Sequence, residues 1–293
     1  MMNSAEPVAP SVIGIIGLGL MGSALACRLR QGGFTVRGFD TDAQCVAAFV
    51  ALGGEMAGDA NAVLGACEVV LLSLPDHREV RAVLAEGVAH LRAGQIVVDT
   101  TTGDPDAAVE SARQLAARGV FYLDATLSGS SAQAREGDVI CMAGGEHEAF
   151  ERCAELFRCV AREVVHTGAA GSGSKMKLVT NLVLGLNRAA LAEGLALAGA
   201  LDLDLAQTLA VLLKSAAYSR IMDTKGDKMI SGDFTPVARL SQHLKDVRLM
   251  LAATPLALPL SETHRELLEK AVALGYGEFD NSAVIKAIQG ASA

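Results

Sequence analysis

Three glycines, Gly17, Gly19 and Gly22, form a G-x-G-x-x-G array between an uncharged apolar run at 12–16 and a helix-like stretch at 21–31. A strand, a tight glycine turn and a helix start, in that order, leave little choice of fold. The first glycine permits the turn, the second lets the backbone approach a pyrophosphate, and the third lets helix and strand pack closely. The helix N-terminus then presents N–H groups and positive dipole to phosphate. The array alone recurs by chance in many turns. Its place at the head of the first βαβ unit gives it weight. Gly17, Leu18, Gly19, Leu20, Met21 and Gly22 are therefore expected to cradle a dinucleotide.

The front half of the chain keeps the same rhythm. Strand-like apolar runs fall at 35–39, 69–74, 96–99, 121–124, 139–143 and 163–166. Helix-like stretches fall between them at 41–52, 77–90, 105–118 and 147–157. Strands that are apolar throughout, alternating with helices, predict a mostly parallel, doubly wound α/β sheet of Rossmann type. The character changes near Gly168. A proline-free, Ala/Leu-rich stretch at 174–201 reads as one long helix, and 205–219, 235–252, 259–274 and 282–289 are helical too. We expect a dinucleotide-binding domain over 11–173 and an all-α domain over 174–293, joined by the long helix. Residues 1–10 read as a disordered lead-in.

Charge and composition exclude several functions. A formal net charge of -8 over 293 residues opposes nucleic-acid binding, which needs a basic footprint. Aromatics are 4% with no Trp, so a base-stacking surface is not expected either. The six cysteines show no C-x-x-C pair and read as small buried hydrophobes in a reducing compartment. The six histidines form no metal set, and His243 is read as a surface residue. The uncharged run at 7–27 has no Lys or Arg before it, which opposes a signal peptide. A cytoplasmic protein with a small-molecule partner, no membrane and no metal is the expectation.

Asp40 follows the second strand-like run, about 20 residues past the glycines, where an acid accepts the ribose hydroxyls of NAD. Thr41 and Asp42 come next, and a 2′-phosphate would meet like charge there. NAD is expected over NADP. The simpler alternative is that Asp40 caps the following helix.

Gly171 and Gly173 lead into the long helix, where Lys177 and Asn181, four residues apart, share one face. A lysine among Ala, Leu, Val and Met is desolvated, which disfavours the ammonium and suits proton transfer. Lys175, two positions away, points elsewhere and reads as an ordinary surface lysine.

With these residues in view, the chain resembles the β-hydroxyacid dehydrogenases from about residue 13 to 289. Four motifs recur in order: the glycine turn, the loop 124–130, the G-x-G-x-x-x-K-x-x-x-N run from Gly171 to Asn181, and the pair Lys245-Asp246. The resemblance implies that Lys177 is the catalytic acid/base and that Ser128 and Gly129 hold a substrate carboxylate. It implies that Asn181 aligns the substrate, and that Leu74, Pro75, Thr102 and Lys245 meet the cofactor. The family generally forms homodimers or homotetramers through its helical domain, and the same is expected here. Without the resemblance, Ser128 and Gly129 could be a plain turn, Thr102 an ordinary loop or capping residue, and Lys245-Asp246 a solvated face.

The chain departs from the family in two places. Thr126 stands for a usual proline, and Ser130 for a usual glycine, adding a hydroxyl beside the carboxylate anchor. An aromatic usual after Pro236 is missing, which nominates Arg239 as a second anion anchor, against a surface arginine at a helix start. The substrate expected is a small 3-hydroxy carboxylate. An imine reductase usually replaces the lysine, and a non-catalytic scaffold loses it; retention of Lys177 opposes both.

Overall fold

Strands with no polar face must be buried on both sides, and here they are. The computed structural model describes residues 12–290, so the lead-in expected at 1–10 lies outside the described residues. Two units divide the chain after Lys177.

The first unit opens with β1 (Val12–Ile16), α1 (Leu20–Gln31), β2 (Thr35–Phe39), α2 (Ala43–Ala51), β3 (Glu55–Met56) and α3 (Ala60–Ala66). It continues with β4 (Val69–Leu72), α4 (His77–Gly87), β5 (Ile96–Asp99), α5 (Pro105–Ala116), β6 (Phe121–Ser128) and α6 (Ser131–Glu136). It ends with β7 (Ile140–Gly144), α7 (His147–Arg152), α8 (Ala154–Val160), β8 (Glu163–Gly168) and the start of α9 (Ser172–Ala200). The strands form one sheet in the order β3-β2-β1-β4-β5-β6-β7-β8. Every pairing is parallel except β6 with β7. Alternate side chains feed two cores: Ile13, Ile15, Val69, Leu71 and Val98 pack on one face. Ile16, Val70, Leu72, Val97 and Tyr122 pack on the other. Chain order reverses between β1 and β4, and ligands of such sheets bind in the crevice at that switch point.

The second unit is helical. Beyond the rest of α9 it holds α10 (Leu205–Leu212), α11 (Ile221–Ser231), α12 (Leu240–Ala252), α13 (Pro259–Ala273) and α14 (Ile285–Gln289). By length and composition α9 could cross a bilayer. Leu178, Asn181, Gly185, Arg188, Ala192 and Leu195 make a buried stripe along it at three- and four-residue spacing. Leu178, Ala192 and Leu195 of that stripe, with Leu191 beside them, join Leu209, Met229, Leu244 and Leu268 in the core of this unit.

Several elements differ from the sequence reading. β3, α3, α6 and α11 were not foreseen, and the helix expected over 147–157 is broken at Cys153. The helix expected to start at 235 starts at Leu240. The carboxylate of Asp280 accepts from the N–H groups of Val237 and Ala238, and Arg239 forms a β-bridge with Asp280. That holds the segment extended. His243, read as a surface residue, is buried against His264, ring centroids 5.1 Å apart.

Candidate active site

The glycine turn sits at the sheet's switch point. Gly17 has φ +94, a conformation that side-chained residues rarely adopt, and its N–H donates to Phe39 O at 2.9 Å. A Cβ on Gly22 would land on the carbonyl oxygen of Gly17, so helix and turn touch there. A Cβ on Gly19 would meet nothing within 4 Å. Packing therefore does not demand that glycine; a group arriving from outside would. Gly19 is also the N-cap of α1 and brings no capping side chain, and no acid stands in the first turn. These residues fit the pyrophosphate of a dinucleotide. Leu18 is buried, Met21 half-buried against the core, and Leu20 exposed.

Asp40 is not the helix cap. That role belongs to Asp42, whose side chain accepts from Gln44 N. The Asp40 carboxylate accepts from Leu18 N at 2.6 Å and from Asp42 N at 2.8 Å, tying the end of β2 to the glycine turn.

Two loops flank the turn. Leu74 and Pro75 follow β4, and Thr102 follows β5. They are joined: Leu74 N donates to Thr101 Oγ1 at 3.1 Å, and Thr101 N donates to Asp99 Oδ1 at 2.9 Å. Tyr122 OH completes the chain by donating to Asp99 Oδ2 at 2.6 Å. Burial pushes the Asp99 carboxyl up to about 6, against the hydrogen bonds from Tyr122 and Thr101. The alternative capping role for Thr102 is filled by Asp104, which accepts from Asp106 N.

β6 carries the candidate substrate loop and anchors the helix that bears the lysine. Asp124 is buried, and its two oxygens accept from Gly171 N at 2.8 Å and Ser174 N at 2.7 Å. It thereby caps α9. A Cβ on Gly173 would strike the backbone oxygen of Asp124, so only glycine lets α9 press so close to the sheet. Thr126 donates to Gly173 O at 3.0 Å, a bond that the family's proline could not make. Lys177, one turn along α9, is 9% exposed and its Nζ donates to Leu127 O at 2.5 Å. Ser128 ends the strand, and Gly129, just beyond it, has φ +151. Ser130 caps α6, and its hydroxyl and Gln133 form a capping box. Its hydroxyl is thus already engaged within the loop. Lys175 is exposed, as read.

In the helical unit Asn181 Nδ2 donates to Asp246 Oδ2 at 3.0 Å, and Lys245 Nζ lies 3.5 Å from Asp246 Oδ1. Asn181 and Asp246 are buried, so the Lys245-Asp246 pair is not a solvated face. Arg239 is exposed and ion-paired with Glu278 at 3.4 Å. The sequence reading missed Asp99, Asp124 and Tyr122. The signal was present: two acids inside otherwise apolar strands.

A glycine turn at the switch point of a mostly parallel sheet, with an uncapped helix N-terminus beside it, defines a fold of the dinucleotide-binding Rossmann class. Residues 12–168 match the NAD binding domain of 6-phosphogluconate dehydrogenase, and 171–288 the NAD-binding domain of NADP-dependent 3-hydroxyisobutyrate dehydrogenase. The chain is 34% identical to 2-(hydroxymethyl)glutarate dehydrogenase of Eubacterium barkeri, covering 94% of this chain and 93% of that one. It is 31% identical to 2-hydroxy-3-oxopropionate reductase of Escherichia coli, covering 94% and 97%. The crystal structure of a 3-hydroxyisobutyrate dehydrogenase from Salmonella typhimurium superposes with a TM-score of 0.86 at 31% identity, covering 94% and 99%. The chain belongs to the β-hydroxyacid dehydrogenase family. It is an NAD(P)-dependent dehydrogenase of hydroxyacids.

Proposed function

We propose that this protein interconverts a small 3-hydroxy carboxylate and its semialdehyde or ketone, with NAD preferred and Lys177 as the acid/base. The observation that carries the reading is Lys177: a buried lysine whose Nζ reaches Leu127 O, one residue before Ser128 and Gly129. When bound, the nicotinamide supplies the hydride chemistry. In oxidation Lys177 Nζ takes the alcohol proton; in reduction it returns a proton to the carbonyl oxygen. The Ser128 hydroxyl and the Gly129 N–H hold the carboxylate, which turns binding into alignment. Asn181, its Nδ2 donating to Asp246, keeps its Oδ1 as the atom that aligns the substrate. Gly17 to Gly22, Leu74, Pro75, Thr102 and Lys245 take the cofactor. Asp40, with Thr41 and Asp42 after it, supports NAD, because a 2′-phosphate would meet two carboxylates. Arg239 stays with Glu278 in this reading, and the engaged Ser130 hydroxyl shapes the anchor loop. The exposed apolar residues Val179, Val183, Leu197 and Leu201 support self-association of the helical part. A cytoplasmic location accords with this chemistry.

The test is a spectrophotometric panel of mono- and dicarboxylic hydroxyacids with NAD and NADP. Turnover confined to 3-hydroxy carboxylates, with the lower KM for NAD, is expected. Equal or better use of NADP overturns the cofactor preference. Failure of every hydroxyacid, with NADH binding confirmed, overturns the substrate class.

A further inference from the structure

Asp99 is expensive to keep. It ends the apolar strand β5, is 6% exposed, and lies directly across the ladder from a second buried acid, Asp124. A carboxylate there loses water and faces like charge, and a buried ionic group often adds nothing to stability over an apolar one. Asp99 joins a core side chain to a loop. One oxygen accepts a hydrogen bond from the Tyr122 hydroxyl, which partly offsets the cost of its charge. The other takes the N–H of Thr101, in the loop after β5. The Thr101 hydroxyl in turn accepts the N–H of Leu74, in the loop after β4. Thr101 and Tyr122 are buried too, at 5% and 4% exposure, so neither meets substrate from solvent. Thr100, the first residue after β5, is tied to the end of β4, its hydroxyl donating to Leu72 O at 2.8 Å.

We propose that Tyr122, Asp99 and Thr101 are positioning residues for the cofactor, a hydrogen-bond chain that fixes the Leu74-Pro75 loop and the Thr102 loop in one arrangement. The proposal rests on the reading that these two loops meet the cofactor. Its action is on binding: the loops are set before the dinucleotide arrives, and no residue of the chain touches the reacting atoms. Loss of the Thr101 hydroxyl leaves Leu74 N–H without its acceptor and frees one loop from the other. Tyr122→Phe removes the proton that supports the Asp99 carboxylate and acts in the same direction.

The experiment is an NADH fluorescence titration, with kcat and Tm, on full-length Thr101→Val, Thr101→Ser, Tyr122→Phe and Thr102→Ala. Thr101→Val is expected to raise the NADH Kd about 10-fold, with saturated kcat within about twofold of wild type. Thr101→Ser, which keeps the hydroxyl, restores wild-type affinity. A purely structural role would lower Tm in Thr101→Val and leave the Kd unchanged, and that result overturns the proposal. If Thr102→Ala weakens NADH but Thr101→Val does not, the loops bind cofactor and the chain does not position them. If neither variant weakens NADH, the reading of the loops fails and the proposal with it.

Discussion

Gly19 and Gly22 stand three residues apart and answer to different demands. Gly22 is required by its own protein, since a Cβ there would collide with the Gly17 carbonyl. Gly19 has open space where a Cβ would go and an ordinary φ of -62. Gly19→Ala is therefore expected to lower Tm only slightly, by the roughly 0.5–1 kcal/mol that alanine costs at an N-cap. It should nonetheless weaken NADH binding, because the new methyl occupies the cradle. Gly22→Ala should lower Tm by several degrees, since overpacking costs about 1–3 kcal/mol. Thermal melts and NADH titrations of the two variants measure this, and a Gly19→Ala enzyme that binds NADH normally would contradict the assignment. The glycines were legible because their spacing is local. The partners of Asp40 were not: Leu18 lies 22 residues before it, and nothing near Asp40 announces that bond.

At the scale of elements, length decided part of what the sequence revealed, although α11, 11 residues long, escaped it too. The long strands and α1, α5, α9 and α13 carry full periods of apolar residues and were readable from pattern. α3 and α6 span 7 and 6 residues, too short for a period to declare itself. Each instead opens on a side-chain cap, Asp59 for α3 and Ser130 for α6. Ser130 shows how a departure from the family acquires a local reason: the residue that replaces glycine starts a helix. Thr126 is the parallel case, with a side-chain bond to the start of α9. The late start of α12 was invisible for another reason. The group that holds 237–239 extended is Asp280, some 40 residues later, itself bound by Lys225 Nζ at 2.8 Å. Burial pushes the Asp280 carboxyl up, but the hydrogen bond and charge of Lys225 outweigh it and leave it at about 2. Of the candidate site, the lysine and its helix were read from the chain. The acids that seat them were not, because their partners are backbone groups brought together only by folding.

Across the whole molecule, two buried groups, one in each unit, should contribute to the acid response in opposite directions. His264, buried in the helical unit, titrates near 4 against an ordinary 6.5, because burial and then the charge of Arg188 oppose its protonation. Unfolded chains bind its proton first, so this unit loses stability as pH falls from 6.5 towards 4, by on the order of 3 kcal/mol. Asp99, in the sheet unit, titrates near 6 against 3.8. There the folded state binds the proton first, so that unit gains stability as pH falls through the window from 6 to 3.8. Calorimetry from pH 7 to 4 should show His264→Leu flattening the acid loss and Asp99→Asn removing the acid gain; unchanged slopes in both would refute the assignment. The central claim is that a dinucleotide site in the first unit works with Lys177 as the proton carrier. It is tested most directly by comparing NADH affinity and saturated turnover in wild type and Lys177→Ala, on whichever hydroxyacid the panel identifies. The account predicts NADH affinity within about twofold of wild type and a kcat lower by roughly 100-fold or more. A Lys177→Ala enzyme that turns over at the wild-type rate would contradict it.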